Sequence, residues 1–158
     1  MLMHDIDSLL SLIDQAYDRP AWHGTNLRGS LRRLSAEEAA WRPGSGRHNI
    51  WEIAVHCAYW KYTVRRRILG EKRGSFPLKG SNWFFRQGVE GEGVWKADLA
   101  LLEDSHRSLR AAVAGLSPRG LSKRSSTGKW TLLQMIQGAA SHDLYHAGQI
   151  QLLKRLRG

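Results

Sequence analysis

The chain has 158 residues, 42% of them hydrophobic, which fits a single domain, residues 1–158, with its own core. No stretch approaches the roughly 18 to 20 apolar residues of a membrane-spanning helix, so we expect a soluble protein without a membrane partner. The single cysteine, Cys57, excludes an internal disulfide. We expect a cytoplasmic protein, because the first residues show no signal-peptide pattern.

The net charge of +10 comes from 24 Lys and Arg residues against 14 Asp and Glu residues. A positive field of this kind attracts anionic small molecules, nucleic acid or membrane surfaces, and charge alone does not choose among them. Much of the excess lies between residues 61 and 90. A solvated surface is the more common explanation of such a basic run.

The first third of the chain predicts an N-terminal helix and two short ones. Apolar residues at spacings of three and four run from residue 5 to residue 18, and Pro20 ends this helix. Thr25 or Asn26 can cap a second helix. The segment Ser35-Ala36-Glu37-Glu38 has the spacing of a capping box, so a further turn is expected there.

A long helix and a long connection follow. Asn49 is expected to cap a helix over residues 50–69, whose core-facing stripe carries His56. Residues 70–93 contain six glycines together with aromatic and basic residues. Loops of this length are usually functional or disordered, and the aromatic content favours one that packs on the body of the protein.

Two more helices complete the pattern, one over residues 94–114 and one from a cap at Thr131 to about residue 156. Since no alternating run predicts a strand, we expect an all-α protein. The pattern predicts a four-helix bundle over residues 24–156 with an additional N-terminal helix within residues 1–20.

Three histidines are the candidates for a metal site. His142 and His146 are four residues apart, so their imidazoles project from one face of a helix, close enough to bind one ion. His56 is the best third candidate, because it lies on the core-facing stripe of another helix. Three imidazoles suit zinc, nickel, iron or copper and leave a coordination position open. Two inward-facing histidines are about as often hydrogen-bonded core residues as metal ligands, so this alternative stays open.

The segment from His142 to His146 also comes within one methylene of the zinc-protease motif His-Glu-x-x-His. We disfavour a protease, because Asp143 is shorter than the glutamate of that motif and no signature of a third ligand follows.

The segments 48–60 and 141–150 resemble the two signature helices of the DinB/YfiT-like superfamily, and the similarity extends from about residue 24 to residue 156. The final His-x-x-x-His-x-Gly-Gln-Ile is the most recognisable piece. The resemblance implies a four-helix bundle, often dimeric, in which His56, His142 and His146 bind nickel, zinc or a similar divalent ion. Many members have a further histidine where this chain has Gly138, so we expect three protein ligands.

Neighbouring residues are expected to support the site. Glu52, one turn before His56, could accept the proton of its non-ligating nitrogen. Asp143 and Gln149 lie beside the paired histidines, and a solvent-facing or capping role suits each of these three residues as well. Candidates for lining a substrate pocket, if they are not simply core, are Tyr59, Trp60 and Tyr145. We expect no direct ligation by His23, His48 or Cys57.

The relatives implied by the resemblance include thiol-dependent S-transferases, a mycothiol-dependent isomerase and proteins described as metal-dependent hydrolases. We therefore expect a metal-dependent transferase or hydrolase acting on a small-molecule substrate, with the basic loop recruiting an anionic cosubstrate such as a low-molecular-weight thiol. The alternative is a non-catalytic stress-response or binding module with a structural or vestigial metal.

Nucleic acid is not expected as a partner, because no helix-turn-helix, zinc-finger or RNA-binding signature is present. A homodimer is expected from the resemblance, and the surface aromatics of segment 76–85 could form part of its interface.

Overall fold

The computed structural model describes residues 6–158, and it contains α-helices and no β-strand within that range. The six helices are α1 (Ile6–Tyr17), α2 (Leu27–Ser30), α3 (Ala36–Ala40), α4 (Ile50–Leu69), α5 (Gly91–Ala114) and α6 (Leu132–Arg157). A 3-10 turn at Pro118–Ser122 precedes α6. The all-α class is confirmed; the part of the N-terminal segment before residue 6 lies outside the described residues.

Local capping determines where the helices begin. The side chains of Asn26, Ser35, Asn49 and Thr131 each accept a hydrogen bond from a backbone N–H in the first turn that follows. The capping boxes predicted at Ser35 and found at Thr131 are complete, since a Glu or Gln side chain returns a hydrogen bond to the cap's own N–H. Gly70 ends α4 in the left-handed conformation, with φ of 71°.

The four long helices, α1, α4, α5 and α6, form the bundle. Each packs against two others in the cyclic order α1, α5, α4, α6. The N-terminal helix is therefore one of the four bundle helices rather than an addition to them. Residues 27–40 contribute only the short α2 and α3, which lie against α6 and α4.

The directions of the helices follow from which residues meet. Trp51 contacts Asp98, and Lys61, further along α4, contacts His106, so α4 and α5 are parallel. Parallel neighbours need a long return, and the connection between Leu69 and Gly91, here called the α4–α5 loop, provides it. The sequence therefore folds into a bundle that is not a simple meander.

The helix α6 runs antiparallel to α4. His56 contacts His146, whereas Lys61, later in α4, contacts the earlier residue Asp143. This antiparallel pair carries all three candidate histidines.

The core has two parts. Around Trp51 and Trp95, both buried, α4 packs against α5 and the short helices. Each indole N–H has an acceptor, Asp98 Oδ2 at 2.7 Å for Trp51 and the Leu34 carbonyl at 2.8 Å for Trp95. The second part joins α1, α5 and α6 through residues that include Ile13, Leu109 and Ile136.

The α4–α5 loop packs on the body of the protein, as its aromatic content predicts. Phe84 is buried, and Phe76 contacts the rings of Tyr59 and Phe84 at centroid distances of 5.3 Å. The expectation that the aromatics of segment 76–85 lie on the surface is wrong for Phe84, which is buried, and Phe76 packs against it beside α4. Phe85 alone among them is exposed, at 66%.

A buried ion pair lies between α4 and α6, and sequence analysis did not find it. The ammonium of Lys61 contacts Asp143 Oδ2, with both side chains at most 3% exposed. Lys61 also donates to His106 Nδ1 at 3.3 Å, and the His106 ring stacks on Tyr17 at 3.9 Å. Burial, together with the nearby Lys61 charge, lowers the pKa of His106 to about 3, so its ring is a neutral acceptor near pH 7.

We predict that Lys61→Met destabilises the protein by about 3 to 5 kcal/mol, because Asp143 is then left as a buried charge without a partner. The double variant Lys61→Met/Asp143→Leu is expected to recover most of that loss. Urea unfolding with a chelator present measures both without a contribution from bound metal. Equal stability of the single and double variants would contradict the prediction.

Candidate metal centre

Three imidazoles converge where α4 and α6 face each other. His142 Nε2 lies 3.0 Å from His56 Nε2 and 3.1 Å from His146 Nε2. Nitrogens that share one ion at about 2.0–2.1 Å lie about 3 to 3.4 Å apart, depending on the coordination geometry. The spacing of the three nitrogens is therefore compatible with a divalent metal site, as the sequence indicates.

The outer nitrogens of two rings determine where their protons lie. His56 Nδ1 is 2.8 Å from the carbonyl oxygen of Asn82, which can only accept, so Nδ1 carries the proton. His146 Nδ1 is 2.6 Å from Gln149 Oε1, and the same argument applies with the amide in this orientation. The Nε2 atoms of His56 and His146 then carry no proton, and their lone pairs are directed at His142. This is the tautomer that metal binding through Nε2 requires.

Burial keeps the three rings neutral. It lowers the pKa of His56 to about 4 and that of His142 to about 3, where the neighbouring histidines add a smaller effect. The pKa of His146 is also lowered by burial, although the hydrogen bond to Gln149 opposes the shift. Near pH 7 the rings are uncharged, as nitrogen ligands must be.

A second set of donor atoms is less suited to a metal. Cys57, His142 and Asp143 also place one donor atom each within 4.8 Å of one another. Burial raises the pKa of the Cys57 thiol well above its usual value, and Asp143 already pairs with Lys61. The thiol stays protonated and the carboxylate is occupied, so the three-histidine set is the better ligand set.

The comparisons with known proteins agree with this geometry. The model of the DinB superfamily matches residues 21–150, a segment that begins after α1 and includes all three clustered histidines. The protein belongs to the DinB superfamily. No curated protein and no solved structure gives a significant match to the chain. None of the helices in the described part of this DinB-superfamily chain is long and apolar enough to cross a membrane.

The role expected for Glu52 beside His56 is wrong, because the proton of His56 Nδ1 goes to the Asn82 carbonyl. Glu52, which is 2% exposed, accepts from both terminal nitrogens of Arg42, at 2.6 and 3.0 Å, and from the backbone N–H of Arg86 and His48 Nδ1, each at 3.0 Å. Glu52 thus ties the start of α4 to the preceding segment and to the α4–α5 loop.

Asn82 and Trp83 of the α4–α5 loop are the neighbours of His56 that sequence analysis missed. Asn82 has φ of 65°, which Asn tolerates better than most residues, and its side-chain oxygen accepts from Trp60 Nε1 at 2.9 Å. The Trp83 ring stacks on His56 at 3.9 Å and on His48 at 3.5 Å. The glycine-rich connection around them carries no helical periodicity, so no sequence pattern placed them here.

Two cavities open beside the histidines of this DinB-superfamily site. One, of about 390 Å³, lies between α4 and α6 and is lined by Trp60 and His142. The other, of about 360 Å³, is lined by Tyr145, His146 and Gln149. One cavity thus reaches His142 and the other reaches His146.

The remaining candidates differ in their placement. Asp143 does not hydrogen-bond to a histidine, because Lys61 holds it in the core. Tyr59 lines neither cavity and packs against Phe76. Tyr59 precedes Trp60 by one residue, so its side chain points about 100° away from that of Trp60 around the helix. His23 is exposed and lies outside the cluster.

We predict that Glu52→Gln costs stability at pH 7 and that this cost shrinks in acid. Burial by itself would raise the pKa of Glu52, but the hydrogen bonds from Arg42, the Arg86 amide and His48 lower it below its ordinary 4.5. A carboxyl group whose pKa is lowered by folding stabilises the folded state at pH values above its pKa in the unfolded state. That contribution is lost as the pH falls through the pKa of the group in the folded state.

The measurement is the free energy of unfolding of wild type and variant between pH 7 and pH 3. The matched control Glu71→Gln removes a carboxylate from a more exposed pair with Arg65 and is expected to cost under about 1 kcal/mol at pH 7. A difference between wild type and Glu52→Gln that does not change with pH would refute the assignment.

Proposed function

We propose that the protein is a divalent-metal-dependent enzyme acting on small molecules, a thiol S-transferase or a hydrolase, with His56, His142 and His146 as the metal ligands. The observation that carries the proposal is the meeting of three Nε2 atoms, with His142 Nε2 at 3.0 Å from that of His56 and 3.1 Å from that of His146. The tautomers of His56 and His146 leave a lone pair on the Nε2 atom of each ring. Only a proton on His142 could lie among the three nitrogens, and without that proton three lone pairs converge where an ion would bind.

A set of neutral imidazoles without a carboxylate or thiolate suits nickel, zinc, iron or copper, and the family resemblance favours nickel or zinc among them. When bound, such an ion lowers the pKa of a coordinated water or thiol and polarises a carbonyl of the substrate. The residues around the ion orient its ligands: the Asn82 carbonyl holds His56 and Gln149 holds His146. Trp83 covers one face of the His56 ring and excludes water there.

Two cavities beside the ligands support an enzyme over a protein with a structural metal. Structural zinc sites are closed by four protein ligands, whereas catalytic ones keep a position for water or substrate. The described residues supply three convergent nitrogens, and cavities reach His142 and His146.

We predict that purified wild-type protein contains about one equivalent of a divalent metal per chain, and that His56→Ala, His142→Ala and His146→Ala each lose it. Elemental analysis after dialysis against a low concentration of chelator measures the content. The control His23→Ala removes an exposed histidine outside the cluster and is expected to keep its metal. Full occupancy in all three cluster variants would refute the ligand assignment.

Gln149→Leu is predicted to weaken metal binding by about 10- to 100-fold while leaving the fold intact, because His146 loses the acceptor that fixes its tautomer. Competition with a chromophoric chelator measures the affinity. Gln137→Leu is the matched control, since Gln137 is an exposed glutamine of the same helix. Equal affinities in the two variants would show that Gln149 does not support the site.

An activity assay tests the reaction class. The metal-loaded protein is assayed for conjugation of low-molecular-weight thiols to a panel of electrophiles and for hydrolysis of a panel of esters and amides. We expect one of the two activities to disappear with chelator and in His142→Ala, and to return when metal is restored to wild type. Metal binding without either activity would favour the non-catalytic stress-response or binding module.

The oligomeric state and location are also proposals. We infer that the protein is a cytoplasmic homodimer. It binds a small-molecule substrate, and we do not expect it to bind nucleic acid. Exposed apolar residues on α6 offer a surface for a second copy: Tyr145, Leu152 and Leu156. Light scattering of the purified protein gives the mass of the particle in solution.

A further inference from the structure

The cavity of about 390 Å³ between α4 and α6, here the α4–α6 cavity, extends well beyond the histidines. Because α4 and α6 are antiparallel, the order of the lining residues along the two helices puts His142 toward one end and Arg67 toward the other. Arg67 follows His56 by eleven residues, which is close to three full turns, so the two lie on one face of α4 about 16 Å apart along its axis. An arginine side chain on a helix leans back toward the N-terminus, so the guanidinium is on the order of 10 Å from the histidine cluster.

Gly138 opens this cavity on the side of α6. It lies in the interior of α6, where glycine costs about 0.5 to 1 kcal/mol relative to alanine. A Cβ built at Gly138 would meet no atom within 4 Å, and its φ is not positive, so neither packing nor backbone conformation requires glycine. Gly138 is exposed and lines the cavity, so the missing side chain leaves the cavity open to a ligand at this position.

The charges in the cavity leave one cation without a partner. Lys61 also lines the cavity, but Asp143 neutralises it. No described carboxylate pairs with Arg67, and its Nε is buried without a hydrogen-bond acceptor. Burial and the neighbouring charges of Arg66 and Arg73 lower the pKa of Arg67, so an anion beside it would relieve an unfavourable environment.

Nearby arginines of the same basic region already have partners. Arg65 pairs with Glu71, and Arg86 of the α4–α5 loop pairs with Asp98. Arg66 donates to the Glu71 carbonyl. Among the described residues that line the α4–α6 cavity, Arg67 is thus the arginine placed to receive an anion from outside the chain.

The wall between the two ends is largely apolar. Its lining includes Val64 of α4, Met135 of α6 and the side chains of Trp60 and Trp130. A fully charged ligand would lose its hydration along this wall without compensation, whereas an apolar stem fits it.

We propose that the α4–α6 cavity binds a small molecule with an apolar body and one terminal carboxylate, which pairs with Arg67 while the other end of the molecule lies at His142. The assignment of the end at His142 as the reacting end rests on the proposed function. The anion site itself rests on Arg67, Gly138 and the apolar wall alone. The substrate or cosubstrate of this site is accordingly an amphipathic monocarboxylate, and its anchor lies in α4 rather than in the α4–α5 loop.

Octanoate is a suitable probe, since its carboxylate and apolar chain together span on the order of 10 Å. Calorimetry on the protein as purified, with its metal content measured, is expected to show binding of octanoate and much weaker binding of 1-octanol. Arg67→Gln is expected to weaken octanoate binding by about 10- to 100-fold, the effect of losing a charge-assisted hydrogen bond, and to leave octanol unchanged.

Two further variants separate the charge from the space. Arg65→Gln, on the same helix and with the same loss of net charge, is expected to keep wild-type affinity for octanoate. Gly138→Leu is expected to block octanoate and octanol alike, while Gly138→Ala keeps the fold and raises the melting temperature. Equal octanoate affinity in wild type and Arg67→Gln, unchanged binding in Gly138→Leu, or no binding by wild type at millimolar octanoate would each overturn the proposal.

The outcome is independent of the metal proposal. Binding that depends on Arg67 in a protein whose cluster histidines hold no metal would support the anion site and refute the proposed enzyme. Metal bound by the three histidines without any octanoate binding would refute the anion site and support the metal ligands of the proposed enzyme.

Discussion

The register between α4 and α6 is the constraint on which the site depends. The nitrogens of His56 and His142 lie 3.0 Å apart although 86 residues separate them in the chain, so a shift of one helix by a single residue would move them apart. One turn along, the buried contact between Lys61 and Asp143 holds the same two helices. A buried charge pair tolerates displacement poorly, because either partner alone would remain desolvated. The ion pair and the histidine cluster therefore require the same alignment.

The helices and the paired histidines could be predicted because their signals are local. Caps such as Asn49 and Thr131 act within one turn, and the spacing of His142 and His146 alone places both on one face. His56 needed the family resemblance, since nothing in the spacing within one helix identifies a ligand on another. The sequence predicts α1 itself, but the place of α1 among the four bundle helices could not be predicted, because the spacing within α1 does not show which helices it contacts.

The contacts that orient the site could not be predicted, because they depend on a connection without periodicity. The acceptor of His56 is a backbone carbonyl at Asn82, and every residue type has such a carbonyl. Glu52 lies at the right helical spacing from His56, yet Arg42, His48 and the Arg86 amide occupy it. Lys61 and Asp143 each resemble an ordinary surface residue in the sequence, and only the packing of two distant helices shows that they are buried.

The separation of the site's components along the chain also affects how the protein folds. The contacts of His56 with His142 and of Lys61 with Asp143 close loops of 86 and 82 residues. Long loops are costly to close and make folding slower than in bundles built from local contacts. During synthesis, α4 leaves the ribosome before α6, so His56 and Lys61 cannot meet His142 and Asp143 until α6 has been made. The contacts that order the site are therefore among the last that the growing chain can form.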